Sequence, residues 1–138
     1  MGEAVKTQSE LLYPPVEKFI TSLYNKHIEV NDMKELTIEF IRTLSKQRKI
    51  KWTLHIIRKL QERGIYREDI YHAIENGQII EQYPDDYPYP SCLLFGTDLK
   101  GNPLHIVVGS DGTILFLITS YYPDSDSFEP NHITRKEN

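Results

Sequence analysis

The chain has 138 residues and a formal net charge of −4, with 39% hydrophobic and 11% aromatic residues. This length suits one compact domain with a single core and excludes two separate enzyme domains. The hydrophobic content exceeds that of disordered chains, and the longest apolar run, within TILFLITSYY, is too short to cross a bilayer.

The cysteine content and the N-terminal residues bear on the cellular compartment. The first 15 residues show no basic region followed by an apolar core, so we expect no signal peptide, no membrane contact and a cytoplasmic protein. Cys92 is the single cysteine, which excludes an intramolecular disulfide and a cysteine metal site. Because it lies in the apolar run SCLLF, we interpret it as a buried structural thiol.

The charges are segregated along the chain. Residues 46–67 contain eight basic side chains and one acidic side chain, whereas residues 68–129 contain one basic and eleven acidic side chains. The basic segment favours a phosphate-bearing partner. The alternative is that the two segments neutralise each other within the fold or across a dimer.

The first third of the chain is predicted to be helical. Apolar residues recur at helical spacing over residues 16–27, and Asp32 with Glu35 forms a capping-box-like start to a second helix that runs to about Ser45. We expect residues 1–37 to form an N-terminal helical extension, with the helical hairpin as a candidate dimerisation element. KIKWT, residues 49–53, alternates charged and apolar residues and predicts a short strand.

Two further helices are predicted over residues 53–77. The first begins near Thr53 and ends at Gly64, and its apolar side excludes His55, which therefore points outward. The second has Tyr66 as an unusual N-cap and ends at Asn76 and Gly77.

The second half of the chain changes to the period of two that is typical of strands. QIIEQY, SCLLFG, PLHIVVG and TILFLITSYY are separated by turn residues and predict an antiparallel meander. The fold class is therefore α+β, with helices packed on a four-stranded antiparallel sheet over residues 38–126. Residues 127–138 are predicted to form a flexible tail.

A tight hairpin is predicted between the last two strands. Asp111 followed by Gly112 fits a two-residue type I′ turn, which would pair Ser110 with Thr113 and place His105 opposite Ile118. Strand alternation from this register would group His105, Ser120 and Tyr122 as polar residues on one face.

Five segments follow one another in the order HIIRKLQERGI, ENGQIIEQYPDD, SCLLFG, LHIVVG and ITSYYPD. Together they resemble the bacterial family known as domain of unknown function 4258, over about residues 38–126. The pattern of that family is a helix opening with histidine, an arginine-glycine-isoleucine turn, an asparagine-glycine helix stop, and a last strand ending in threonine, tyrosine and proline. The corresponding residues are His55, Arg63, Gly64, Ile65, Asn76, Gly77, Thr119, Tyr121 or Tyr122, and Pro123. Tyr66 departs from the pattern because it replaces a serine-type cap.

The resemblance implies a fold like that of the RelE and BrnT toxins and metal-independent RNA cleavage without a cofactor. RNA and a cognate antitoxin are the implied partners. Such cleavage needs a base for the ribose 2′-hydroxyl, an acid for the leaving 5′-oxygen and cations for the developing phosphate charge. Histidine and arginine suit these roles. We expect catalytic roles for His55, Arg63, His105 and Tyr122, and substrate binding by Lys51, Arg58 and Lys59.

Structural roles are the alternative for each of these residues. His55 is also typical of a solvated first-turn residue, His105 of a hydrogen-bonded core histidine, and Arg63 of a side chain that bonds terminal helix carbonyls. The five histidines lack HxxxH and HxH spacing, so we predict no metal site.

Two other classes of function remain open. The first is a noncatalytic interaction domain, with a homodimer as one form, in which the cationic helix binds an acidic partner. The second is DNA binding by the helix pair joined at RGIY. It ranks last, because phosphates would repel Glu68, Asp69 and Glu75 on its second helix.

Overall fold

Three helices and five strands make up the described part of the chain, residues 35–124 and 128–136 of a computed structural model. The helices are α1 (Ile38–Lys46), α2 (Leu54–Arg63) and α3 (Arg67–Asn76). The strands are β1 (Ile50–Lys51), β2 (Gln78–Tyr83), β3 (Ser91–Thr97), β4 (Pro103–Ser110) and β5 (Leu115–Tyr121). The predicted α+β class is confirmed. The helix predicted over residues 16–27 and its hairpin lie outside the described residues.

The strands form one mixed sheet in the order β1-β5-β4-β3-β2. Strands β2 to β5 are antiparallel neighbours, as predicted. The expectation of four antiparallel strands is wrong in one respect, because β1 adds to the sheet parallel to β5, with Ile50 opposite Leu115. The Leu115 amide donates to the Lys49 carbonyl at 2.9 Å. The fifth strand therefore covers backbone groups that would be unpaired on an edge strand.

The register between β4 and β5 differs from the predicted one. Ser110 pairs with Leu115, and His105 pairs with Tyr121. Asp111 explains the longer loop, since its Oδ1 accepts hydrogen bonds from the Thr113 amide at 2.9 Å and the Ile114 amide at 3.2 Å. These bonds stabilise a four-residue connection in place of the two-residue type I′ turn.

A β-bulge in β5 then exchanges the faces of its last residues. Val107 pairs with Thr119 and Val108 pairs with Leu117, so Ile118 has no partner on β4. The extra residue reverses the alternation beyond it. The predicted group of His105, Ser120 and Tyr122 is therefore wrong, because Tyr121 lies beside His105 and its neighbours in sequence point to the other face.

The predicted capping box with Glu35 is not the start of α1, because Thr37 Oγ1 accepts a hydrogen bond from the Phe40 amide at 3.1 Å and the helix begins at Ile38. The predicted ends of α2 and α3 are confirmed. Thr53 Oγ1 accepts a hydrogen bond from the Ile56 amide at 3.1 Å and begins α2, and Gly64 ends it with a φ of 70°. Tyr66 precedes α3, and its amide donates to Asp69 Oδ2 at 2.9 Å. The local sequence was sufficient here because capping groups act within three or four residues.

The helices cover one face of the sheet and form the core with it. The largest core side chains are completely buried, namely Ile41, Ile70, Ile74, Leu94, Leu104, Ile106 and Leu115. Cys92 is also buried there, as predicted, and burial raises the pKa of its thiol to about 12. In the described ranges, no helix combines the length and apolar character needed to cross a membrane.

Candidate functional site

The exposed side of α2 carries most of the cations that the sequence predicted to act on a substrate. His55 and Arg58 are exposed, and Lys59 is partly exposed and lies 3.5 Å from Glu62. Arg58 and Lys59 follow His55 by three and four residues, so helix geometry puts all three on one face. Among residues 35–124 and 128–136, none makes a hydrogen bond with the His55 side chain. The His55 imidazole is exposed, and Lys51 is exposed on β1 just before α2.

Arg63 lies at the opposite end of α2 and contacts the sheet. One of its terminal guanidinium nitrogens donates to Ser120 O at 2.9 Å and to Thr119 Oγ1 at 3.2 Å. It follows His55 by eight residues, which corresponds to about 12 Å along a helix axis. Arg63 is thus separated from His55 and connects the end of α2 to β5.

Tyr122 lies just after β5, where its hydroxyl donates to Asp98 Oδ2 at 2.9 Å. Asp98 is buried, and its Oδ1 accepts from the amides of Lys100 and Asn102 at 2.9 and 2.8 Å. Burial raises the pKa of Asp98, but these hydrogen bonds outweigh it and hold the pKa below its ordinary value. Burial and the Asp98 carboxylate raise the pKa of Tyr122 to about 12. Tyr122 is therefore a protonated donor at neutral pH.

His105 lies on the sheet face opposite the helices and is completely buried. Its Nε2 is 2.6 Å from the His132 carbonyl oxygen, which can only accept, so Nε2 carries the proton. Its ring packs against Phe128 at a centroid distance of 4.6 Å. Burial lowers the pKa of His105 and favours the neutral form. This side chain has the environment of a core histidine.

Apart from Lys51 on β1, the predicted site residues therefore occupy three places. His55, Arg58 and Lys59 share the outer face of α2. Arg63 and Tyr122 lie near the C-terminal end of β5, and His105 is buried on the other side of the sheet. Helical spacing predicted the first group, and no pattern in the sequence links it to the other two.

An ion-pair cluster on the sheet face away from the helices was not predicted. The Arg135 guanidinium contacts both carboxylate oxygens of Glu81, at 2.6 and 3.0 Å, and the Tyr83 hydroxyl also donates to that carboxylate. Burial raises the pKa of Glu81, but the bonds from Arg135 and Tyr83 hold it below its ordinary value. Arg135 and Glu81 are 54 positions apart, so no local signal could have paired them.

A second unpredicted arrangement joins arginines to aromatic rings near the start of α2. The Arg48 guanidinium lies 3.8 Å from the ring centre of Tyr71, and the Arg67 guanidinium lies 5.1 Å from that of Trp52. The two rings meet edge to face at 5.8 Å. The basic residues of segment 48–71, with Trp52, Tyr66 and Tyr71 among them, were the available signal.

Comparison with known proteins bears on the family of the chain. No curated protein and no solved structure matches it. The model of the family described as "Domain of unknown function (DUF4258)" matches residues 52–122, which is just over half of the chain. This match extends from the residue before the N-cap of α2 to the residue after β5. The chain therefore belongs to the DUF4258 family.

Proposed function

We propose that this protein binds RNA and cleaves it without a metal ion, as a RelE-like toxin or RNA-processing enzyme of the cytoplasm. One observation carries the proposal, namely that His55 is exposed on the same helical face as Arg58 and Lys59. An accessible imidazole among cations is the minimum that this reaction needs. The eight basic side chains of residues 46–67 would attract the phosphate backbone to this surface.

In the proposed reaction His55 accepts the proton of a ribose 2′-hydroxyl. The 2′-oxygen attacks the adjacent phosphorus, and the bond from phosphorus to the 5′-oxygen breaks as that oxygen takes a proton from solvent. The products are a 2′,3′-cyclic phosphate and a 5′-hydroxyl. Arg58 and Lys59 stabilise the negative charge that develops on the phosphate oxygens.

The other predicted residues act indirectly in this proposal. Arg63 positions the end of α2 through its bonds to Thr119 and Ser120. The Tyr122 hydroxyl is hydrogen-bonded to Asp98, and the His105 imidazole is hydrogen-bonded to the His132 carbonyl. In this proposal both residues support the sheet, and side chains of α2 contact the substrate.

The test is induced expression of wild type, His55→Ala and Gln61→Ala in a bacterium, followed by mapping of RNA ends. Gln61 is exposed on the same helix and carries no charge, so it is the matched control. We expect growth arrest and new 5′-hydroxyl ends with wild type and Gln61→Ala, and neither with His55→Ala. Purified protein should give the same ends in the presence of a chelator. Intact RNA with abundant folded wild type, or cleavage retained by His55→Ala, would contradict the proposal.

A noncatalytic interaction domain is the second candidate, favoured by an exposed apolar group. Tyr66, Leu99 and Tyr122 are 71, 59 and 38% exposed. They lie close together, because Asp69 accepts from the amides of Tyr66 and Leu99 at 2.9 and 3.1 Å while Asp98 accepts from Tyr122. Such a group fits a protein partner, either a cognate antitoxin or a second copy.

Light scattering over a range of concentrations tests the homodimer. We expect a dimer for wild type and a monomer for Leu99→Ser if this surface is used. The same mass for both proteins at every concentration would count against it.

A further inference from the structure

Two arginines and two aromatic residues form a continuous row on the surface beside α2. The row runs from Arg48 to Tyr71, then to Trp52 and Arg67, over successive distances of 3.8, 5.8 and 5.1 Å. Both arginines are exposed, and both rings are half-buried against the core. We call these four residues the arginine–aromatic row.

The backbone at Arg48 has a left-handed conformation, which is uncommon for a residue other than glycine. Arg48 follows the end of α1 with a φ of 59°, and its amide donates to Ser45 O at 2.9 Å while the Lys49 amide donates to Leu44 O at 2.9 Å. Glycine is the usual residue at this position of a helix end, because other residues are strained there.

The end of α2 provides the comparison within the same chain. It has the same pair of backbone bonds, but Gly64 occupies the left-handed position with a φ of 70°. The chain thus uses glycine at one helix end and keeps arginine at the other. A left-handed backbone costs free energy at a residue other than glycine, and at Arg48 it places a charged side chain over an aromatic ring.

Anion binding depends on what already contacts the two guanidinium groups. Among the described residues, no carboxylate lies within ion-pair distance of Arg48 or Arg67. A guanidinium that already lies against a ring loses less side-chain entropy when it binds a ligand than a freely rotating one does. Phosphate oxygens accept such paired N–H groups well.

We propose that Arg48 and Arg67 bind two phosphate groups of one single-stranded RNA segment, whose unpaired bases contact the rings of Trp52 and Tyr71. This inference rests on the proposed function and names how the substrate is held. Trp52 lies three residues before His55, so RNA bound to the arginine–aromatic row would extend towards the exposed face of α2. A single strand fits better than a duplex, because the bases of a duplex are stacked on each other and cannot reach aromatic side chains.

Trp52 is the single tryptophan of the chain, so its fluorescence reports binding at the row. The probe is a 2′-O-methyl uridine decamer, which cannot undergo attack by a 2′-hydroxyl and so separates binding from cleavage. The proteins are wild type, Arg48→Gly and Arg67→Gln. Lys100→Gln is the control, because it removes one exposed positive charge from the β3–β4 turn.

We expect the decamer to change the fluorescence of wild type and Lys100→Gln with the same salt dependence. For each arginine variant the slope of log K against log salt should shrink by about 0.7, the value for one phosphate contact with a single strand. In thermal unfolding monitored by circular dichroism, Arg48→Gly should have a melting temperature at least as high as that of wild type, because glycine suits a positive φ.

Three results would overturn the inference: no binding by wild type, slopes in both arginine variants that equal the control, or equal binding of a duplex of the same length. The two proposals fail separately. Cleavage of ordinary RNA that persists in both arginine variants would reject the row and leave the proposed function standing. Arginine-dependent binding by a wild type that cleaves nothing would reject the proposed function and leave the row standing.

Discussion

The His105 imidazole is enclosed by aromatic rings on the face of the sheet away from the helices. The ring centres lie at 4.6 Å from Phe128, 5.4 Å from Tyr121 and 6.0 Å from Phe95. An imidazolium would lose its hydration in these surroundings, which is why burial lowers the pKa of His105. The residue therefore links the stability of the fold to pH.

Replacing His105 with Phe should weaken the dependence of stability on pH. Since the pKa of His105 is lower in the folded chain than the ordinary value of about 6.5, the unfolded chain binds more protons and stability falls as pH drops below that value. His105→Phe removes this contribution and keeps an aromatic ring of similar size. Free energies of unfolding from urea titrations between pH 7.5 and 5.5 check this. Loss of the bond to the His132 carbonyl lowers stability equally at each pH, so parallel wild-type and variant curves would contradict the prediction.

At the scale of elements, α3 packs unusually closely on β3. Gly96 and Gly77 make this possible, because a Cβ on Gly96 would overlap the Ala73 carbonyl oxygen of α3 and a Cβ on Gly77 would overlap the Phe95 carbonyl oxygen of β3. Asn76 strengthens the contact, since its Oδ1 accepts from the Thr97 amide at 2.9 Å and its Nδ2 donates to Thr97 O at 3.1 Å. The asparagine-glycine pair that predicted the helix stop thus also attaches the helix to the sheet.

Gly96→Ala should separate α3 from β3 and destabilise the fold by about 3 kcal/mol, the upper end for overpacking a tight contact. Chemical denaturation monitored by circular dichroism measures the loss. Gly109→Ala is the graded control, because its Cβ would lie 3.2 Å from the Pro90 carbonyl oxygen and 3.3 Å from Ile118 Cδ1, a milder crowding. Equal stability of the two variants would show that the helix can move away from the strand at little cost.

At the scale of the whole molecule, the two faces of the sheet are covered by different parts of the chain. The helices cover one face, and residues 128–136 contribute to covering the other. Phe128 is buried there and forms an isolated bridge with Arg135, whose guanidinium binds Glu81 on β2. Residues that are distant in sequence therefore enclose the His105 side chain.

Deleting residues 125–138 should expose His105 and raise its pKa towards the ordinary value. NMR titration of the imidazole proton signals in the full and shortened chains checks this. The loss of buried Phe128 should also cost about 2 kcal/mol of stability. If the deletion leaves the pKa of His105 unchanged, other parts of the protein exclude solvent from this histidine.

The sequence by itself determined the α+β class, the bounds of α2 and α3, the buried thiol of Cys92, and the exposure of His55. Caps such as Thr53 and Gly64 and the periodicity of apolar residues act over one or two helical turns, so a local pattern contains them. Only the tertiary structure decided that β1 joins the sheet and that Tyr121 lies beside His105. The hydrogen-bonded loop at Asp111 moved the register by two residues, and the unpaired Ile118 then exchanged the faces of the strand end. The tertiary structure also decided that Arg48 contacts Tyr71 and that Arg135 binds Glu81. These partners are distant in sequence, and only packing brings them within reach.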